Sequence, residues 1–186
     1  MNFLKDVTCY LSGPIESCDD PNSWRAKISP ELEKLGMVVW NPLVKPSWML
    51  PVDGKRQRSW REVIKDGTDS LQISGIKLMN KQIRSVDRAL AYSCNIMIVR
   101  ISSKSFSVGT YEELVIAKEA GKPVFFLTDE PIPSMWLVDM FDAYDNTPFF
   151  ISVSDLINHL RLIDNGITEV DRIAWIFKTY KGGSNV

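Results

Sequence analysis

Histidine is nearly absent: the chain of 186 residues has one, His159. That excludes a Ser-His-Asp or Cys-His nucleophile in ordinary form, and any histidine-rich metal site. Whatever catalysis the chain performs must run on carboxylates, hydroxyls, lysine or backbone. Cysteine is also scarce. Cys9, Cys18 and Cys94 have neither metal-ligand spacing nor the even count of a disulfide frame. Reduced thiols in a cytoplasmic protein are the simplest account. No apolar run approaches the roughly 20 residues of a membrane span, and Lys5 and Asp6 stand where a signal peptide would carry its apolar core. The net charge of -1 gives no general attraction to nucleic acid or an anionic membrane. Repeats, low-complexity segments and domain boundaries are absent. The expectation is one domain over 1–186, closed by a helical tail from about 167.

What the chain does have is an alternation of short β-rich runs with helical patterns. Val7–Leu11, Met37–Trp40, Cys94–Val99, Val124–Leu127 and Phe149–Ile151 read as five strands. Helical spacing joins Trp24, Ile28, Leu32 and Leu35, with Pro30 either kinking that helix or, after Ser29, starting a second one. A long helix is predicted from Ile76 to Tyr92, and another from Met135 to Phe141. A further helix, capped by Ser154 or Asp155, runs through Ile163 and carries His159 as a surface or interface residue. Between Leu43 and Gly75 the prolines, glycines, Trp48, Trp60 and several arginines read as an irregular lid or substrate-facing segment, with a short helix near Trp60 to Lys65. The order strand, helix, strand builds a parallel α/β sheet, whose ligands bind beyond the carboxyl ends of the strands.

Chemistry concentrates at those ends. Ser107-Val-Gly-Thr-Tyr-Glu-Glu113 follows the third strand and opens a helix, with Thr110 and Glu113 spaced as a capping box. Asp87 lies at the inner edge of the preceding helix, where an unpaired carboxylate would be costly, so it is either a site acid or half of a salt bridge. Beside it runs a basic stripe, Lys77, Lys81, Arg84 and Arg88, which is a solvated face or a lure for an anionic substrate. Tyr10 ends the first strand and Gly13-Pro14 follow in its loop, where α/β proteins place sugar or phosphate groups. Two carboxylates and a tyrosine without histidine suit cleavage of a C–N glycosidic bond. Its transition state is oxocarbenium-like, and a carboxylate can trap it while an acid assists the departing base. Gly109 lets the backbone approach a sugar, and the amides behind Thr110, with the Ser107 hydroxyl, can donate to an anion.

Tyr10-Leu-Ser-Gly-Pro14, Trp24-Arg25, Asn41-Pro42, Asp87 nine residues before Ile96, and Ser107-Val-Gly-Thr-x-x-Glu113 with Ala117 and Gly121-Lys-Pro together resemble the nucleoside 2-deoxyribosyltransferase family, which includes the deoxynucleoside 5′-monophosphate N-glycosidases. The resemblance runs from about Tyr10 to Leu127. It implies a flavodoxin-like (Rossmann-like) sheet and an enzyme that transfers or hydrolyses the 2-deoxyribosyl group of nucleosides or nucleotides without metal or organic cofactor. It also implies a homo-oligomer, for which the apolar tail around Trp175 is suited. Carried over by position, Glu113 is the nucleophile, Asp87 places and protonates the base, and Tyr10 orients Glu113. Gly13, Pro14, Ser107, Gly109 and Thr110 would contact substrate. Ser107 stands where transferases of free nucleosides have an acid, and resembles the phosphate-holding serine of the glycosidases. Pro14 stands where those glycosidases have a serine, and Asn95 where an aspartate is frequent. Two other readings stay open: a nucleoside-monophosphate phosphoribohydrolase of the cytokinin-activating type, and a non-catalytic nucleotide-binding protein.

Overall fold

The computed structural model describes residues 2–44, 54–105, 107–130, 134–140 and 149–166. Five strands form one sheet: β1 (Thr8–Ser12), β2 (Val38–Trp40), β3 (Ile96–Ile101), β4 (Val124–Thr128) and β5 (Phe149–Phe150). All pair in parallel, in the order β2-β1-β3-β4-β5. This is the flavodoxin-like, doubly wound order. The chain first moves from β1 to β2 and then crosses back to the other side of β1, so the strand order reverses between β1 and β3. Tyr10 lies beside Met97 and Ser12 beside Val99 at that reversal.

Alternation along the strands sorts the core into two layers. Cys9, Leu11, Ile96, Ile98, Phe125 and Leu127 face helices α1 (Ser23–Lys34) and α6 (Val153–Asn165), through Ile28, Leu32, Leu156 and Leu160. Tyr10, Met97, Val99 and Phe126 face the opposite way. They meet Ala91 of α3 (Ser70–Ser93), Leu114 and Ala117 of α4 (Val108–Glu119), and Leu137 of α5 (Met135–Met140). Strands buried on both faces read as continuous apolar runs, which is why they stand out in the sequence.

Several expectations need correction. α1 is one helix with Pro30 inside it. The ring removes one backbone donor, and Ser29 Oγ donates to the Arg25 carbonyl (2.7 Å) one turn back. Within 43–75 the described residues are largely helical: α2 spans Gly54–Asp66, lengthening the short helix expected near Trp60 to Lys65, and α3 begins at Ser70, capped by Asp69, whose carboxylate accepts from the Gln72 amide (2.8 Å); 45–53, with Trp48, lie outside the described residues. Trp60 of α2 packs on Ile83 of α3, beside which Val86 also packs. The cap of α6 is Ser152, accepting from the Asp155 amide (3.1 Å). His159 is half-buried, its ring 5.2 Å from that of Phe150 and 5.9 Å from that of Phe125. Cys9 and Cys94 are buried, Cys18 is partly so, and all three are free thiols. The tail from 167, with Trp175, lies outside the described residues. Among the described residues no helix is long and apolar enough to cross a membrane.

Candidate active site

The carboxyl ends of β1 and β3 open into a cavity of about 360 Å³, walled by the loop after β1, by α2, α3 and the start of α4. Glu113 lies on its floor. Residues two apart on a strand share a face, so Tyr10 and Ser12 both point toward α4. Tyr10 Oη donates to Glu113 Oε1 (2.9 Å), and Ser12 Oγ donates to Oε2. Both hydroxyl residues are fully buried. Each carboxylate oxygen thus carries one donor and keeps a lone pair for another partner.

The electrostatics of this carboxyl are balanced. Burial pushes it up, to about 7. The Ser12 hydrogen bond pulls it down, Asp87 pushes it up, and Tyr10 and the Arg25 guanidinium pull it down again. Burial first, then the neighbouring Glu113 charge, holds the Tyr10 hydroxyl well above its usual range, so Tyr10 remains a donor at working pH. Asp87 is partly buried on α3 and lines the same cavity. The two carboxylates predicted from sequence therefore face one space, brought together by the packing of α3 on α4.

The start of α4 differs from the predicted capping box. The N-cap is Ser107, not Thr110; its Oγ accepts from the Thr110 amide (3.3 Å) and from Thr110 Oγ1 (2.9 Å). Thr110 sits inside the first turn with its side chain buried. Since Ser107 Oγ accepts both bonds, its own proton is left to donate to a ligand, and Ser107, Gly109 and Thr110 all line the cavity. We expect Ser107→Ala to lower stability by about 1 kcal/mol and Ser107→Gly by only a few tenths, measured by urea unfolding. Gly109 has nothing within 4 Å of where a Cβ would be, so its backbone is open to a ligand.

Of the other predicted contacts, Gly13 lines the cavity. A Cβ there would lie 3.0 Å from Arg100 Cβ and 3.1 Å from the Trp24 ring, so a larger residue would have to push these neighbours back by a few tenths of an ångström. Pro14 is buried and is not among the cavity-lining residues. The basic stripe divides. Arg84 and Arg88 reach the cavity wall, where both bind Glu112, with Arg84 Nε at 2.8 Å from Oε2. Lys77 and Lys81 are exposed. Asn95 holds the approach to β3, its Oδ1 accepting from the Thr8 amide and hydroxyl, each at 2.8 Å.

Three site residues were not singled out for a role by sequence. Ser12 sits in Ser-Gly-Pro, which reads as a turn, although its two-residue spacing from Tyr10 was the available signal. Arg25 is fully buried beneath the first loop. Gln57, on the part of α2 that precedes the short helix expected near Trp60 to Lys65, lines the cavity with a buried Oε1 that has no hydrogen-bond partner. Among the described residues no group of three His, Cys, Asp or Glu side chains is placed to hold a metal ion.

No protein-family model matches the chain, and no curated protein matches it by sequence. Solved structures do. A 2-deoxyribosyltransferase from the psychrotolerant bacterium Bacillus psychrosaccharolyticus superposes with a TM-score of 0.55 at 19% identity, over 82% of this chain and 91% of that one. A CMP N-glycosidase from Clostridium botulinum superposes at 0.50 and 13% identity, over 83% and 98%. At these identities the likeness establishes the fold. The first is a 2-deoxyribosyltransferase and the second an N-glycosidase of a nucleotide.

Proposed function

We propose that the chain is an N-glycoside enzyme: it cleaves the bond between base and sugar in 2-deoxyribonucleosides or their 5′-monophosphates and passes the deoxyribosyl group to another base or to water. The observation that carries this reading is a glutamate on the cavity floor, Glu113, with both oxygens oriented by buried hydroxyls, Tyr10 Oη (2.9 Å) and Ser12 Oγ.

In the first step a Glu113 oxygen bonds to C1′ as the C1′–N bond breaks, and the electron pair leaves with the base. Asp87, across the cavity, assists by placing the base and protonating its nitrogen. In the second step the nitrogen of a new base, or a water oxygen, attacks C1′ and gives its proton to the Asp87 carboxylate, as the C1′–O bond breaks and Glu113 departs as carboxylate. Tyr10 and Ser12 restrain rotation of the carboxylate during both steps, and the hydrogen bonds weaken as negative charge leaves the attacking oxygen. Gly109 and the first amides of α4, which have no intrahelical partner, lie where sugar or phosphate oxygens can be met, and the Ser107 proton adds a donor. The orphan acceptor of Gln57 suits a base edge presenting N–H.

Removing one donor should be measurable. Tyr10→Phe and Ser12→Ala are each expected to lower kcat/KM about 10- to 100-fold, since a hydrogen bond to a charged group contributes roughly 1.5–3 kcal/mol. Each should also move the acidic limb of the pH profile upward, because a donor that favours the carboxylate is gone.

The test of the activity is chromatography of products from deoxynucleosides, deoxynucleoside monophosphates and ribonucleoside monophosphates, with and without a second free base. Base released from monophosphates alone identifies a nucleotide hydrolase and assigns the Ser107 donor to phosphate. Exchange onto the added base identifies a transferase. Release from ribonucleotides identifies a phosphoribohydrolase instead. No release from any of them, with retained binding, would make the protein a nucleotide binder and overturn the proposal.

A further inference from the structure

Arg25 poses a physical problem. Its side chain is fully buried, and a buried charge is costly unless it is paired. Yet its hydrogen bonds run to neutral main-chain carbonyls: Nε to Leu11 (3.2 Å), Nη2 to Gly13 (3.0 Å) and Nη1 to Pro21. Its carbon Cζ lies 4.6 Å from the ring centre of Trp24, a further neutral partner. Burial brings its pKa down to about 10, so it still carries its charge at neutral pH.

The carbonyls it holds are informative. Leu11 and Gly13 flank Ser12, whose hydroxyl donates to Glu113. One planar guanidinium therefore fixes the backbone on both sides of the residue that orients the carboxylate, a fork geometry that lysine does not reproduce. Tyr10 on β1, Arg25 on α1 and Asp87 on α3 act on the Glu113 carboxyl, Glu113 acts in turn on Cys94 at the end of α3, and Arg84 and Arg88 of α3, bound to Glu112, line the same cavity. Of these cations Arg25 is the buried one, whereas Arg84 and Arg88 are exposed and paired with Glu112.

We infer that Arg25 is the positioning residue for Glu113: it sets the Ser12 backbone and supplies the buried positive charge against which the carboxylate ionises. The two buried charges belong together, although no direct contact joins them. This rests on Glu113 being the reactive carboxylate, as proposed above, but its test does not need turnover.

The test follows the side-chain carboxyl of Glu113 by carbon-13 NMR in labelled protein, identified by the signal lost in Glu113→Gln. In Arg25→Met the titration midpoint should rise by about one pH unit or more above wild type, with Arg25→Lys between the two. The same variant should be folded near pH 5, where Glu113 is protonated, and lose stability as pH rises, whereas Arg25→Met in the Glu113→Gln background should show no such added loss. An unchanged midpoint in folded Arg25→Met would overturn the inference. So would loss of the fold at every pH in both backgrounds, which would make Arg25 a structural residue only. If the midpoint moves but no product forms from any substrate, the positioning holds and the proposed activity is what fails.

Discussion

Glu113→Ala is expected to lower the proposed base release roughly 10⁴- to 10⁶-fold while leaving the fold intact. The size follows from the role proposed for the residue: removing a nucleophile closes the covalent route, and only the contribution of binding and orientation remains. The fold should survive because Glu113 is held by hydrogen bonds from Tyr10 and Ser12, hydroxyls that can reorient toward water entering the vacated space. Glu112→Ala is the internal comparison. Its carboxylate binds Arg84 and Arg88 at the cavity wall, and its loss should weaken substrate binding or α3–α4 docking by a much smaller factor. Single-turnover rates on the substrate found by product chromatography, with circular dichroism as the folding control, check both.

The second large effect is on pH. A carboxylate nucleophile works only when ionised, and burial puts the Glu113 carboxyl at about 7. Thus kcat/KM should fall tenfold per pH unit below about 6 and level off above about 8. Stability runs the other way. The folded-state pKa lies above the ordinary value of 4.5, so between 4.5 and about 7 the native state binds more protons than the unfolded chain. Stability contributed by this group is present at low pH and is lost as pH rises through about 7. At 1.36 kcal/mol per tenfold change the full loss is about 3 kcal/mol. Glu113→Gln, which cannot ionise, should therefore be more stable than wild type at pH 8 by up to that amount and nearly equal at pH 5. Urea unfolding at both pH values reads this directly. A protein that is destabilised by its own reactive group when that group is in its working state is the expected trade of stability for function.

Much of this was visible in the chain. The strands announce themselves because both faces are buried, and strand-loop-helix order places Glu113 and Asp87 at the switch point without coordinates. What sequence misses has identifiable causes. Only the second half of α2, near Trp60 to Lys65, is legible: the helix carries Lys55, Arg56, Arg58, Arg61, Glu62 and Lys65 around a single packed aromatic, Trp60, so the periodicity of its first half is drowned by charge and by the prolines and glycines before it. Its Arg58 and Arg61 reach the Glu16 carbonyl (3.0 Å) and carboxylate across the cavity rim, contacts that no local pattern encodes. Ser107 and Thr110 are both good caps three residues apart, and only the backbone decides between them. Arg25 lies on a helix whose other charged residues are solvated, and nothing local marks the one that turns inward under the β1 loop.

The central claim is a covalent bond between the sugar and Glu113. Rapid acid quench of the protein with its substrate, followed by mass spectrometry of peptides, tests it most directly. The account predicts one added 2-deoxyribosyl group, with or without phosphate, on the peptide carrying Glu113, appearing before free sugar accumulates and absent in Glu113→Gln. Turnover without any adduct, or an adduct on another residue that persists in Glu113→Gln, would contradict it.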